Sequence, residues 1–332
     1  MQIRTLGRTG KSVSVIGLGT WQLGADWGEV SAADARAVLD ASVDSGVTFF
    51  DTADVYGDGR SESVIGDYLA DSPGLDITVA TKMGRRELQD PANFTLRNFR
   101  EWTDRSRRNL RTDRLDLVQL HCPPTAVYSS DAVYDALDTL VADGAIASYG
   151  VSAETADQAL TAIARPAIAT VQIILNAFRL KPLDAVLPAA RAAGVGIIAR
   201  VPLASGLLSG KYTAATTFAA NDHRNFNRRG EAFDVGETFS GVDYETGVAA
   251  AQDFVRLVAA QPTAALLSPA QAALAWLAQL DGVSTAIPGA RTPEQARANA
   301  AAGSAAALGS GFNQAVADLY DRYFREAIHD RW

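Results

Sequence analysis

Apolar residues in this chain fall into short β-prone runs that alternate with longer stretches of helical period. The runs are Val15–Thr20, Thr48–Thr52, Ile77–Lys82, Leu115–His121, Ala147–Ser152, Ile168–Leu175, Val195–Leu203 and Ser284–Pro288. Most are nearly continuous in apolar character, as strands buried on both faces are. Ala33–Ser45, Ser61–Ala70, Thr95–Leu110, Asp131–Val141, Thr155–Ala164, Leu183–Ala193, Ser268–Leu280 and Pro293–Ala302 read as the intervening helices. Units of this kind, spaced roughly 30 to 45 residues apart, exclude a solenoid of short repeats. They leave a doubly wound parallel sheet or an eightfold barrel.

Local signals refine the pattern. Residues 2–15 read as a hairpin around Leu-Gly-Arg-Thr-Gly. Ser31, Ser61 and Ser268-Pro269 carry helix-start chemistry, and Gly46, Gly144, Gly194 and Gly282 stand where helices need a left-handed stop. Residues 204–266 form a long irregular insertion after the seventh strand, helical near Glu245–Ala260. Phe312–Ala327 reads as one further amphipathic helix at the C-terminal end. Gly17-Leu-Gly19-Thr20-Trp21 resembles part of a dinucleotide fingerprint, but it lacks the third glycine and does not open a helix. The expected fold is therefore an α/β (β/α)8 TIM barrel, one domain over residues 1–332, with an N-terminal β-hairpin.

Composition changes this picture little. Apolar residues make up 48% and charged residues 20% of 332, an ordinary globular balance. Thirty basic against 38 acidic side chains leave −8, which argues against nucleic-acid or anionic-membrane partners. A single cysteine, Cys122, excludes an internal disulfide and fits a reducing compartment. With neither a signal-peptide pattern nor an apolar run of about 20 residues, the expected location is the cytoplasm. The sequence carries no sign of oligomeric state.

In a parallel barrel, chemistry gathers at the carboxyl ends of the strands. Asp51 ends the second strand, and Tyr56 follows in a loop closed by Gly57, Asp58 and Gly59. Lys82 ends the third strand, His121 the fourth and Ser152 the fifth; Gln172 and Asn176 belong to the sixth. An isolated phenol titrates near ~10 and donates slowly at neutral pH, and a neighbouring ammonium lowers that value. Asp51 would keep Lys82 charged, and His121 would bond and orient a carbonyl oxygen. Each residue alone has a plainer reading, as a rim lysine, a structural histidine, a loop cap or a packing ring. Their convergence on one mouth points to proton transfer. No second histidine or cysteine stands at ligand spacing from His121, so no metal is expected.

These residues carry a resemblance. Gly17-Leu-Gly-Thr-Trp21, Phe50-Asp-Thr-Ala-Asp-Val-Tyr56-Gly, Thr81-Lys82, Leu120-His121, Gly150-Val-Ser152, Val171-Gln172, Pro202 to Tyr212 and Ile287-Pro-Gly-Ala-Arg291 together resemble the aldo-keto reductase family. The resemblance implies Asp51, Tyr56, Lys82 and His121 as the catalytic set. It implies an NADPH-dependent reduction of an aldehyde or ketone, with NADP as cofactor and NAD as the alternative. Gly19, Thr20, Trp21 and Asp51 are then expected near the cofactor, with Ser152 and Gln172 on the nicotinamide carboxamide. Arg200, Pro202, Leu203, Ser205, Gly206, Leu208, Gly210 and Lys211 would follow the ring and pyrophosphate. Ile287, Gly289, Arg291, Gln295 and Asn299 would hold the adenosine end, with Arg291 and a helix N-terminus on a 2′-phosphate.

Some positions depart from the family pattern. Ala153 stands where an asparagine is common, Ala298 where an acidic residue is usual, and Arg200 where many members stack an aromatic ring. Trp21, Trp27, Tyr56 and His121 are the expected substrate contacts, their aromatic walls suiting an apolar or sugar-like carbonyl compound. Trp102 reads as helix packing. Two rival readings use the same barrel: a cofactor-sensing subunit like those of voltage-gated potassium channels, and a Schiff-base aldolase with Lys82 as nucleophile. The insertion reads equally as a mobile lid or a surface loop, with Arg224, Arg228 and Arg229 directed to an acidic substrate or to cofactor phosphates.

Overall fold

The computed structural model describes residues 1–24, 30–232 and 235–332, so Trp27 lies outside the described residues. The hairpin comes first, β1 (Ile3–Thr5) antiparallel to β2 (Ser12–Ser14), with Ile3 opposite Ser14. Among the described residues a parallel sheet follows in unbroken sequential order: β3 (Leu18–Gly19), β4 (Phe49–Asp51), β5 (Thr78–Met83), β6 (Leu117–His121), β7 (Tyr149–Ala153), β8 (Thr170–Ile174), β9 (Gly196–Arg200) and β10 (Val283–Ala286). The sheet closes on itself, since Ile16 bridges Ala286 and Gly19 bridges Gly289 in parallel register. Sequential order with closure is a barrel and excludes the doubly wound sheet.

Helices α1 (Ala32–Asp44), α2 (Arg60–Asp71), α3 (Leu96–Leu110), α4 (Asp131–Ala142), α5 (Ala156–Ile163) and α6 (Val186–Ala193) each follow a strand. The insertion holds α7 (His223–Phe226) and α8 (Tyr244–Ala260); α9 (Pro269–Gln279) and α10 (Pro293–Ala301) complete the ring. The expected C-terminal helix is two, α11 (Ser310–Tyr323) and α12 (Arg325–Ile328). The break falls at Phe324, whose backbone leaves the helical region while its ring packs 4.7 Å from Phe178.

The capping signals fare unevenly. Ser31 and Ser268 cap α1 and α9 as their positions suggest, and the four expected stop glycines all have positive φ. Ser61 does not cap α2, which begins one residue earlier after Gly59. Its hydroxyl instead donates to Thr20 Oγ1 at 2.9 Å and accepts from Thr52 Oγ1 at 2.9 Å, clamping the helix to the first two barrel strands.

Alternation along the strands sorts the interior. Phe50, Val118, Val151, Val171 and Ile197 face outward and pack under the helices. Phe49, Ala80, Leu117 and Ile198 face inward and form a separate apolar plug with Leu6 and Val13 of the hairpin. The hairpin thus seals the amino-terminal end of the barrel. It sits so close that a Cβ at Gly7 would lie 2.1 Å from the Ala169 carbonyl oxygen and 2.2 Å from the Gly196 nitrogen. Two residues beyond the plug, the same inward register carries Asp51, Lys82 and Gln119. No helix among the described residues is long and apolar enough to cross a membrane.

Candidate active site

Lys82 is the hub of the polar layer above the plug and is 1% exposed. Its Nζ stands 2.5 Å from Asp51 Oδ1, donates to the Thr52 carbonyl at 2.9 Å and reaches Tyr56 Oη at 3.5 Å. The second Asp51 oxygen accepts from Gln119 Nε2 at 3.1 Å and Gln172 Nε2 at 2.8 Å. Gln172 also donates to Gln119 Oε1 at 3.3 Å. A buried charge pair is tolerated when both members are bonded, and here Lys82 touches three protein oxygens and Asp51 three protein nitrogens.

The electrostatics follow from this geometry. Burial works against the Lys82 charge, yet Asp51 and Tyr56 outweigh it and hold the ammonium above its ordinary range. Tyr56 departs from the sequence expectation. Burial pushes its phenol up, and Lys82 offsets only part of that. The sequence showed the neighbouring cation but not how dry the layer would be. A phenol kept protonated is a proton donor in waiting.

The mouth around it is aromatic. Trp21, in a turn after β3, stacks on Tyr56 with ring centres 5.8 Å apart and planes 18° from parallel. His121 meets Tyr56 edge-on at 6.0 Å and stands opposite Ser152 in the β6–β7 register. Asp51, Tyr56, Lys82 and His121 therefore do converge.

The insertion lies on this mouth from two sides. His223 of α7 is buried with its ring 5.4 Å from that of Trp21. From the other side Glu237 forms an ion pair with Arg200 at the end of β9. Ser205 Oγ donates to the Glu237 carbonyl at 3.1 Å and accepts from the Phe239 amide at 3.0 Å. Arg224 is bound to Asp222 and Tyr212, and Arg228 lies over the Tyr244 ring at 5.1 Å. Arg229 is exposed.

The residues expected around a cofactor divide into free and committed groups. Thr20 Oγ1 donates to the Asp51 carbonyl, Gln172 belongs to the Asp51 network, and Ser152 Oγ accepts from Cys122 Sγ at 3.4 Å. Arg200 Nη2 lies 3.7 Å from Cys122 Sγ and 3.4 Å from the Ala153 carbonyl. After Arg200 the chain passes Pro202 and Leu203 into a concave loop with positive φ at Val201, Ala204, Ser205, Gly206 and Gly210. Several of its amides are spent inside the loop, Ala204 on Val201, Gly206 and Leu208 on Leu203 and Gly210 on Leu207, so the left-handed residues fold it into a tight, self-bonded turn. Leu208 is buried beneath it and Lys211 is exposed beside it.

β10 neighbours β9, so the segment Ile287, Gly289, Arg291 runs alongside this loop into α10. Thr292 caps α10, the Arg291 amide donates to Gln295 Oε1 at 2.8 Å, and Asn299 Nδ2 donates to the Gly289 carbonyl at 3.1 Å. The Arg291 side chain is exposed beside that helix N-terminus. A glycine-bearing loop with an exposed lysine and, on the neighbouring strand's exit, a capped helix start with an exposed guanidinium suit an anionic ligand such as a dinucleotide.

Sequence reasoning missed Gln119 and Glu237. Gln119 was findable, because it shares the inward register of Leu117 and His121 on β6. Glu237 lies in a stretch with no periodicity and gave no signal.

A model of the aldo/keto reductase family matches residues 15–320. An uncharacterised oxidoreductase of Mycobacterium bovis is 33% identical over 297 residues, covering 87% of this chain and 84% of the relative. The solved structure of a glycerol dehydrogenase from Gluconobacter oxydans superposes with a TM-score of 0.75 at 28% identity, covering 97% of this chain and 95% of that one. The holo form of an aldo-keto reductase from Bacillus halodurans gives 0.76 at 25% identity, covering 96% of each chain.

Proposed function

The chain belongs to the aldo/keto reductase family and is an NAD(P)H-dependent oxidoreductase of carbonyl compounds, and from that premise we propose that it reduces an aldehyde or ketone with NADPH, Tyr56 being the proton donor. The observation that carries this reading is the Tyr56 hydroxyl 3.5 Å from an ammonium that is itself locked on Asp51.

The loop after β9, with exposed Lys211, would border the pyrophosphate, and Arg291 with the α10 N-terminus would take the adenosine 2′-phosphate. Ser152, Arg200 and Trp21 would border the nicotinamide. When bound, the dinucleotide supplies the hydride. Tyr56 gives its proton to the carbonyl oxygen, which His121 holds in line. Lys82 stabilises by its charge the phenolate that proton loss leaves, and Asp51 with its two glutamine partners keeps Lys82 in place.

The aromatic wall of Trp21 and His223 suits a compact substrate with apolar or sugar-like faces. The likeness to a glycerol dehydrogenase supports a small hydroxylated compound. A single cysteine, buried at the mouth, suits the cytoplasm.

Tyr56→Phe tests the proposal. Removing the hydroxyl should lower turnover by about a hundredfold or more while NADPH affinity, read by fluorescence titration, stays within about twofold. Near-normal carbonyl reduction by this variant would mean that another group is the acid.

A further inference from the structure

Three residues past Asp51 the chain buries a second carboxyl that the chemistry above does not use. Asp54 is 0% exposed, and its carboxyl finds no partner beyond the backbone amide of Val55 next to it. Its backbone, by contrast, is held on both sides. The amide donates to the Lys82 carbonyl at 3.1 Å, and the carbonyl accepts from Arg105 Nη1 at 3.0 Å. Asp54 therefore sits at the root of the Ala53–Asp58 turn, whose bonds from Tyr56 N to Ala53 O and from Asp58 N to Val55 O set where Tyr56 points.

The groups facing Asp54 come from three elements. Glu62 of α2 is also fully buried, and its two oxygens are already taken by Thr81 Oγ1 at 2.6 Å and Asn109 Nδ2 at 2.8 Å. Arg86, after β5, and Arg105 of α3 both act on Asp54 by charge, but both direct their side chains to Asp58 Oδ1. Arg105 also donates to the Asp58 carbonyl at 2.5 Å. Burial and Glu62 together push the Asp54 carboxyl up to about 7.

We propose that Asp54 is a positioning residue: neutral, it lets the Ala53–Asp58 turn pack dry and hold Tyr56 over Lys82, and ionised, it draws Arg105 and Arg86 from Asp58 and releases that turn. A second anion beside Glu62 must find a cation or water. The nearest cations are the two that pin Asp58. Proton loss at Asp54 is thus traded against the anchor of the loop that carries the acid. The inference rests on Tyr56 as that acid for its effect on rate, and on Asp54 alone for its effect on stability.

The test compares wild type with Asp54→Asn, a neutral isostere, in the full chain. Between pH 6 and 8.5 the wild-type kcat/KM for carbonyl reduction should fall about tenfold or more, and the Asn variant should stay flat. Folding stability carries the same sign. A carboxyl raised to about 7 in the fold stabilises it fully below the unfolded value near ~4, and that contribution drains away as pH rises to about 7. The wild-type folding constant should therefore lose about a thousandfold relative to Asp54→Asn between pH 4 and 7, read by denaturant titration at each pH. Infrared spectra of the wild type at pH 5.5 should show the carbonyl stretch of a neutral carboxylic acid that the variant lacks.

Parallel pH profiles of rate and stability, with no such band, would overturn the proposal. So would an Asn variant that does not fold, since an amide replaces a neutral acid at little cost. If Tyr56→Phe stays active while Asp54→Asn flattens the stability profile, the assignment of the acid fails and that of Asp54 as the buried neutral carboxyl stands.

Discussion

Lys82→Met removes the cation from the polar layer and keeps most of its volume. The Asp51 carboxylate is then left 3% exposed with two amide donors, Gln119 and Gln172, and no counter-charge. Breaking a buried pair from one side costs about 3–5 kcal/mol, because the remaining charge stays desolvated. A chain of 332 residues at about 2.1 cal/mol/K each unfolds with roughly 0.7 kcal/mol/K. The melting temperature should therefore drop about 4–7 °C.

The pH dependence of that loss identifies its origin. A carboxylate stranded in a dry layer is relieved by protonation, so the deficit is largest at pH 8 and smaller in acid. Adding Asp51→Asn to Lys82→Met should recover more than half of the loss, since the stranded charge is gone. Scanning calorimetry at pH 8 and pH 5 reads all three variants. A deficit equal at both pH values, or a double variant worse than the single, would refute the stranded-charge argument. Turnover of Lys82→Met should fall by at least about a hundredfold at every pH, since Lys82 is the main cation offsetting the phenolate charge and Arg200 acts more weakly.

Three further substitutions probe the ends of the barrel. Glu237→Gln leaves Arg200 buried without its carboxylate; with Glu237 itself partly solvated, the expected loss is about 2–3 kcal/mol, with faster proteolysis in residues 204–266. An unchanged melting point and cleavage rate would mean that the pair does not hold the insertion down. Gly7→Ala drives a methyl into the backbone of Ala169 and Gly196 and should cost more than about 3 kcal/mol. Gly10→Ala, at positive φ but with nothing within 4 Å, should cost only about 1 kcal/mol, and equal losses would mean that strain rather than contact limits the hairpin turn.

The barrel was legible because its signal is periodic. Apolar strands alternating with helical stretches predict both the number of units and the end of the barrel where polar residues stand out. Asp51, Lys82 and His121 announced themselves as charges that interrupt apolar runs. What stayed hidden depended on contacts between segments far apart in the chain. Ser61 looked like a helix cap by its neighbours, and only the approach of Thr20, 41 residues earlier, turns it into a clamp. The insertion ahead of Glu245 has no period, so nothing in it distinguished Glu237 or His223 from a solvated loop. Gln172 had a family role to inherit, and the carboxylate that holds its amide here lies 121 residues away.

The direction of the Tyr56 shift draws these pieces together. A lysine within reach of a phenol would by itself lower the phenol's pKa, and the opposite direction here comes from burial outweighing that cation, though Tyr56 itself is only half-buried. Exclusion of water from below is the work of Leu6 and Val13, which the hairpin inserts under Phe49, Ala80 and Leu117. From above, His223 against Trp21 and Glu237 against Arg200 bring the insertion onto the rim. The acid is therefore kept protonated by the closure of the barrel at both ends as much as by its immediate neighbours. A residue in the hairpin or the insertion can change proton transfer without touching any group that takes part in it.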